Sequence, residues 1–202
     1  MTTIQPLEDT VTASTLSTRS YNGVNIPETG LFALDPAHTR VGFVARHLMV
    51  SKVRGSFGTV SGELSIADEP EQSAVSVTID TASITTGAPD RDGHLRSPDF
   101  LDVERFPTMT FRSTRVSDLD GGSFTLVGDL TIKDVTREVA LQAEFEGVAR
   151  TPWGSEVVGF TARAEIDRED FGMTWNQALE TGGVLVGKKV TIEIEAEAIR
   201  QA

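Results

Sequence analysis

The 202-residue chain contains no cysteine. This excludes a disulfide framework and a thiolate nucleophile, and it leaves the redox compartment unreadable. Cations are in deficit, with 18 Lys and Arg against 30 Asp and Glu for a net charge of -12. A nucleic-acid partner is thereby excluded, because a phosphate backbone is met by clustered Lys and Arg. On whole-chain charge, an anionic membrane surface repels the protein for the same reason. No apolar run is long enough for a transmembrane segment. The sequence also lacks a Gly-x-Ser-x-Gly elbow and a Gly-rich phosphate loop ahead of a helix. Gly121-Gly122 and Gly182-Gly183 read as turns.

What is present is alternation. From residue 39 to 200, apolar residues fall on every second position, the period of a strand with one buried face. Val190, Ile192, Ile194, Ala196 and Ala198 alternate with Lys189, Thr191, Glu193, Glu195 and Glu197. Phe124, Leu126, Gly128, Leu130 and Ile132 form one face of another strand, and Val139, Leu141, Ala143, Phe145 and Gly147 one face of the next. Lys133-Asp134 is the tight turn of that hairpin.

Strands are expected near 39–48, 53–67, 73–82, 108–117, 122–132, 136–149, 156–167 and 188–200. In the second of these, apolar parity shifts from Val53 and Phe57 to Val60, Leu64 and Ile66. Gly55, Gly58 and Gly62 mark a bulge or bend there. With almost no long helices to cover the apolar faces, the sheet must close on itself or form a sandwich. Between Ile84 and Met109, Pro89 and Pro98 suit first helical positions and Ser97 suits a cap, so two short helices are expected over one end. Residues 1–30, rich in Thr and Ser, read as a flexible leader ahead of one domain at 31–202. The leader lacks the basic start and apolar run of a secretory signal, which leads to an expected cytoplasmic location.

Inward parity nominates a lining of Phe43, Phe57, Val77, Ile79, Met109, Phe111, Leu126, Leu130, Leu141, Phe145, Phe160 and Ile192. Small barrels are also filled by their own side chains, so the same residues read equally as plain core. The segment from Phe171 to Gly187, with Met173, Trp175 and Leu179, reads as a lid over the mouth or as a cap on the core, and Trp175 is counted with the lining.

Only His38, His47 and His94 can serve as imidazole ligands or bases. His47 shares parity with Val41, Phe43 and Ala45 and should point inward at one end of its strand. Asp90, four residues before His94, could bond to it across a helical turn. Three imidazoles and a water make a catalytic zinc site, but His38 and His47 lie nine apart and form no paired motif. Hydrogen-bonded polar fasteners, or contacts to a ligand's head group, are the better readings. No metal or cofactor is expected.

Several segments together resemble the YceI-like family. They are Leu34-Asp35-Pro36-Ala37-His38-Thr39 followed by Val41, Phe43 and His47, then Gly55-Ser56-Phe57 and Ile84-Thr85-Thr86. Next come Arg91-Asp92-Gly93-His94-Leu95-Arg96-Ser97-Pro98-Asp99-Phe100, Phe106-Pro107-Thr108-Met109-Thr110-Phe111, the 128–136 hairpin and Arg168-Glu169-Asp170-Phe171-Gly172. The resemblance runs in order over residues 31 to 200. It implies an all-β fold, an eight-stranded antiparallel barrel similar to lipocalins and streptavidin, with a long-chain polyisoprenoid or related amphiphile such as an isoprenoid quinone in the lumen. Members are commonly secreted or periplasmic, a pattern from which this N-terminus departs. Eight strands enclose room for one slim ligand, and strands of this length would make a tunnel on the order of 25–35 Å.

The leading expectation is therefore a non-enzymatic carrier of an amphiphilic lipid, with His38, His47, Arg91 and His94 at the head group. The rivals are an enzyme using the three histidines and Asp92 on an apolar substrate, and a structural or oligomer-forming module. An exposed strand edge would make a homodimer reasonable.

Overall fold

The computed structural model of the protein describes residues 16–180 and 182–202. Its strands are β1 (Thr18–Tyr21), β2 (Val24–Pro27), β3 (Gly30–Leu34), β4 (Arg40–His47), β5 (Ser51–Phe57), β6 (Val60–Ile66), β7 (Ala74–Asp80) and β8 (Ile84–Thr85). After helix α1 (Pro89–Arg96) come β9 (Thr108–Asp120), β10 (Ser123–Ile132), β11 (Val135–Arg150), β12 (Glu156–Asp167) and β13 (Val186–Arg200).

The long strands form an antiparallel ring in the order β3, β6, β7, β9, β10, β11, β12, β13 and back to β3. Closure comes from the β12–β13 ladder, which runs without interruption from Val157 opposite Ile199 to Asp167 opposite Lys189. Two barrel strands are bent in the middle. β3 and β4 both pair with β13, at Ala198↔Leu34 and at Ile194↔Val41, with residues 35–39 turning between them. β5 and β6 break at Gly58 and Thr59, where the apolar parity shift of the sequence lies. The structure is thus the expected eight-stranded barrel, its first two strands each drawn in two pieces.

Local chemistry accounts for the connections. Lys133 adopts a φ of 60° in the β10–β11 turn, which sets Ile132 opposite Val135. Pro89 starts α1 as expected. Pro98 does not start a second helix, so the expected pair reduces to one. The Ser97 carbonyl accepts the amides of both Phe100 and Asp102, and Asp102 sits at a φ of 50°, which ends any helical run.

The expected leader is corrected from residue 18 onward, and residues 1–15 lie outside the described residues. Asn22 and Gly23 take φ of 48° and 80°, the left-handed pair of a type I′ turn, and fold β1 against β2. That hairpin is fastened to the barrel. The Arg19 guanidinium donates to the carbonyls of Ala67 and Asp68, and the Tyr21 hydroxyl donates to Glu71 at 2.9 Å.

Below the hairpin, buried Glu156 accepts from Arg200 Nε at 2.8 Å and from the Ser17 amide at 3.1 Å. Arg200 also lies 4.6 Å over the Phe32 ring and donates to the carbonyls of Glu28 and Thr29. Burial alone would raise the Glu156 carboxyl, but the Arg200 guanidinium and the Ser17 amide more than offset it and hold it below its ordinary value. A depressed folded-state value means that its stabilisation is present above the ordinary glutamate range and lost as pH falls through and below it. Arg200→Met should cost about 3 kcal/mol by leaving a buried carboxylate unpaired. Urea unfolding at neutral pH checks this, and the deficit should shrink in acid, where Glu156 protonates in both proteins.

Candidate functional site

The inward faces of the barrel enclose a cavity of about 370 Å³, within the size range of small-molecule sites, roughly 300–1,000 Å³. Of the thirteen nominated lining residues, the twelve named for their parity, Phe43, Phe57, Val77, Ile79, Met109, Phe111, Leu126, Leu130, Leu141, Phe145, Phe160 and Ile192, line it and Trp175 does not. Met109, Phe111, Leu130, Leu141 and Ile79 are at the same time buried core, so lining and core are one set of side chains here.

Glycines keep the rings against the wall. A Cβ on Gly55 would lie 2.4 Å from the Phe43 ring, and one on Gly128 would lie 2.5 Å from the Phe111 ring. Each phenyl lies close over a bare stretch of backbone. At one end Phe160 meets Phe145 with centroids 5.5 Å apart and Phe124 at 6.2 Å, spacings favourable for aromatic pairs.

The two ends of the cavity differ. The mouth lies at the β9–β10 and β6–β7 turns, where exposed Ala74, Gly121 and Ser123 and half-buried Pro70 line it. The β1–β2 hairpin contributes Tyr21, Val24, Ile26 and Pro27 to the lining there and so covers part of the opening. Sequence reasoning missed these residues, although Asn22-Gly23 between short alternating stretches is a hairpin signal.

The opposite end is closed by α1 and the loops around it, through Leu95, Phe100, Leu101 and Met173. Here lies Arg168, 3% exposed and part of the lining. Its Nε donates to the Gly187 carbonyl at 3.1 Å, and its terminal nitrogens donate to Met173 and Val186 carbonyls. Among the described residues no carboxylate comes within ion-pair distance of it. Desolvation draws its pKa down, opposed by the charges of Glu169 and Asp167. A guanidinium has five N–H donors, and backbone carbonyls engage only part of them. No periodicity marks Arg168; it appeared only inside a segment that resembles the YceI-like family.

The nominated head-group residues do not reach the cavity lining. His38 is 65% exposed in the 35–39 turn, with Nδ1 2.7 Å from Asp35 and 3.8 Å from Glu197. The Asp35 hydrogen bond raises its pKa. His47 lies at the end of β4, past the last lining residue of that strand, Ala45. His94 is bonded at 2.9 Å to Asp99, not to Asp90, and is held edge-on between Phe100 and Trp175. Trp175 therefore stacks on the helical segment and does not line the cavity. Exposed Arg91 donates to the Thr86 hydroxyl and carbonyl, outside the barrel wall.

Asp92 is buried beneath α1 and accepts from the Thr86 amide at 2.8 Å and from the hydroxyls of Thr86 and Thr85. The Thr86 hydroxyl is the main cause that holds its carboxyl below the ordinary range. The three histidines and Asp92 thus have separate local partners and form no shared cluster among the described residues. Asp35, His38 and Glu197 come close to one another on the surface, without reaching the cavity. Asp92→Ala should lower stability by about 1–3 kcal/mol through unpaired buried donors and leave ligand uptake at low temperature unchanged. Thermal unfolding and a binding assay on one sample check both halves.

Fold and site together define a hollow, lipocalin-like β-barrel with an apolar interior. The YceI-like domain model matches residues 32–198, and the chain belongs to the YceI-like family. The UPF0312 protein of Staphylococcus aureus (strain MSSA476) is 44% identical over 169 residues, 82% of this chain and 95% of that protein. Among solved structures, the Campylobacter jejuni YCEI protein is 31% identical with a TM-score of 0.66, over 78% of this chain and 90% of that one. A polyisoprenoid binding domain from Saccharophagus degradans matches in fold, with a TM-score of 0.62 at 15% identity, over 86% of this chain and all of that one.

Proposed function

We propose that this protein is a non-enzymatic carrier that holds one long, slim amphiphile in the barrel, an isoprenoid lipid or isoprenoid quinone. The observation that carries this reading is an apolar cavity running from an open mouth to one unpaired buried cation. The walls along the barrel are almost wholly apolar, so affinity along the chain of the ligand would come from burial. Each methylene-sized group contributes about 0.8 kcal/mol before ordering costs. The name of the Saccharophagus degradans domain supports the isoprenoid class through likeness of fold.

Arg168 adds a direction. An acceptor at the ligand's leading end, a carbonyl, hydroxyl or phosphate oxygen, meets the free N–H groups of Arg168 at the closed end, while the hydrocarbon fills the barrel toward the β1–β2 hairpin. Desolvation makes such a charge-assisted hydrogen bond worth about 1.5–3 kcal/mol. The wild-type protein should therefore bind an isoprenoid quinone or prenol roughly ten-fold or more tightly than a headless isoprenoid hydrocarbon of matched length. Competition against a fluorescent lipid probe reads this difference. Equal affinity would remove Arg168 from the reading, and no binding of either ligand would remove the carrier.

A further inference from the structure

The 30 carboxylates of this chain are unevenly placed. Residues 36–62 contain none, although Arg40, Arg46, Lys52 and Arg54 lie there. In the middle of that stretch, β4 turns into β5 through Leu48, Met49 and Val50, which are 38%, 55% and 80% exposed. Three consecutive apolar side chains stand in solvent at the tip of a hairpin.

The turn itself is unusual for these residues. Leu48 and Met49 take φ of 51° and 61°, and the Val50 amide donates to the His47 carbonyl at 3.1 Å. That is a type I′ turn, which favours Asn-Gly at its two central positions because both are left-handed. Leu and Met there incur backbone strain as well as exposure, and no packing among the described residues buries them. The tip is nevertheless held in place, since the Leu48 amide donates to the Leu185 carbonyl at 2.9 Å.

Arg46 faces Lys52 across the hairpin, and Arg54 follows two pairs further along opposite Val44. All three are exposed. None has a hydrogen bond or ion pair to another described residue, whereas nearby Lys188 is paired with Glu169 at 2.7 Å. Lys and Arg on β5, whose edge is unpaired from Ser51 to Gly55 among the described residues, would by themselves read as protection of an edge strand. That explanation leaves the apolar tip unexplained.

We propose that the β4–β5 tip is a docking surface for an anionic lipid bilayer. Leu48, Met49 and Val50 enter the interface between head groups and acyl chains, while Arg46, Lys52 and Arg54 lie at the level of the lipid phosphates. The charge of the whole chain does not forbid this, because at physiological salt the Debye length is about 8 Å and local charge governs contact. A second copy docked tip to tip would instead bring the two sets of cations face to face. The proposal rests on this surface and is independent of what the cavity holds.

Vesicle flotation tests it, using phosphatidylcholine alone and phosphatidylcholine mixed with phosphatidylglycerol. The wild-type protein should float with the mixed vesicles, and far less with phosphatidylcholine alone or at high salt. Leu48→Asn with Met49→Gly installs the favoured turn pair, so the fold should be kept or strengthened while flotation falls roughly ten-fold. Arg46→Glu with Lys52→Glu should lower it at least as much. Absence of wild-type flotation with the mixed vesicles would overturn the proposal. So would unchanged flotation of the Asn-Gly variant, or a concentration-dependent dimer lost in that variant with no vesicle binding, which would assign the tip to a second copy.

Discussion

The structure depends on a ring of backbone hydrogen bonds that closes where β12 meets β13. A sheet with one apolar face and, among the described residues, one short α-helix to cover it can bury that face only by curling round on itself. Once the β12–β13 ladder completes the ring, the wall is supported by its own hydrogen bonds and does not need a filled centre. A helical bundle of this size would collapse around such a void; a closed barrel of eight strands can retain it. The hollow interior is therefore a property of the architecture, refined by glycines that let Phe43 and Phe111 lie close to the backbone.

Polar chemistry is confined to the ends of this apolar body. At the mouth, Arg200 and Glu156 bond to Ser17, Glu28 and Thr29, which flank the β1–β2 hairpin, and this network holds the rim and fastens the hairpin over part of the opening. At the closed end, Arg168 links the start of β13 to the Met173 loop through carbonyls while its charge remains unpaired. Asp92 fixes α1 to the chain just after β8. A long amphiphile has the matching distribution, apolar along its length and polar at a terminus.

The barrel was legible in the sequence because period-two alternation is a local signal that survives into the fold. Val190, Ile192 and Ile194 on β13, and Leu126 and Leu130 on β10, line the cavity for the parity reason read from the chain. The bend of the second strand was legible through its glycines. The polar site was much less so. His38, His47, Arg91 and His94 stood out by rarity or charge, but rarity does not determine where a ring points. Three of them are bonded to Asp35, Asp99 and Thr86 outside the cavity. Arg168 is one arginine among many until the chain returns from β12 and encloses it between three carbonyls. Trp175 was read as part of a lid or a cap, yet its partners His94 and Phe100 lie some eighty residues away and only the tertiary fold brings them to it.

The central claim is that the barrel is occupied by lipid. Native mass spectrometry of the full-length protein, purified without detergent from cells that make isoprenoids, tests it most directly. The account predicts a population heavier than the polypeptide by the mass of one molecule, released by organic solvent as an isoprenoid lipid or quinone. A bare polypeptide mass that stays unchanged after incubation with prenols and quinones of several lengths would contradict it.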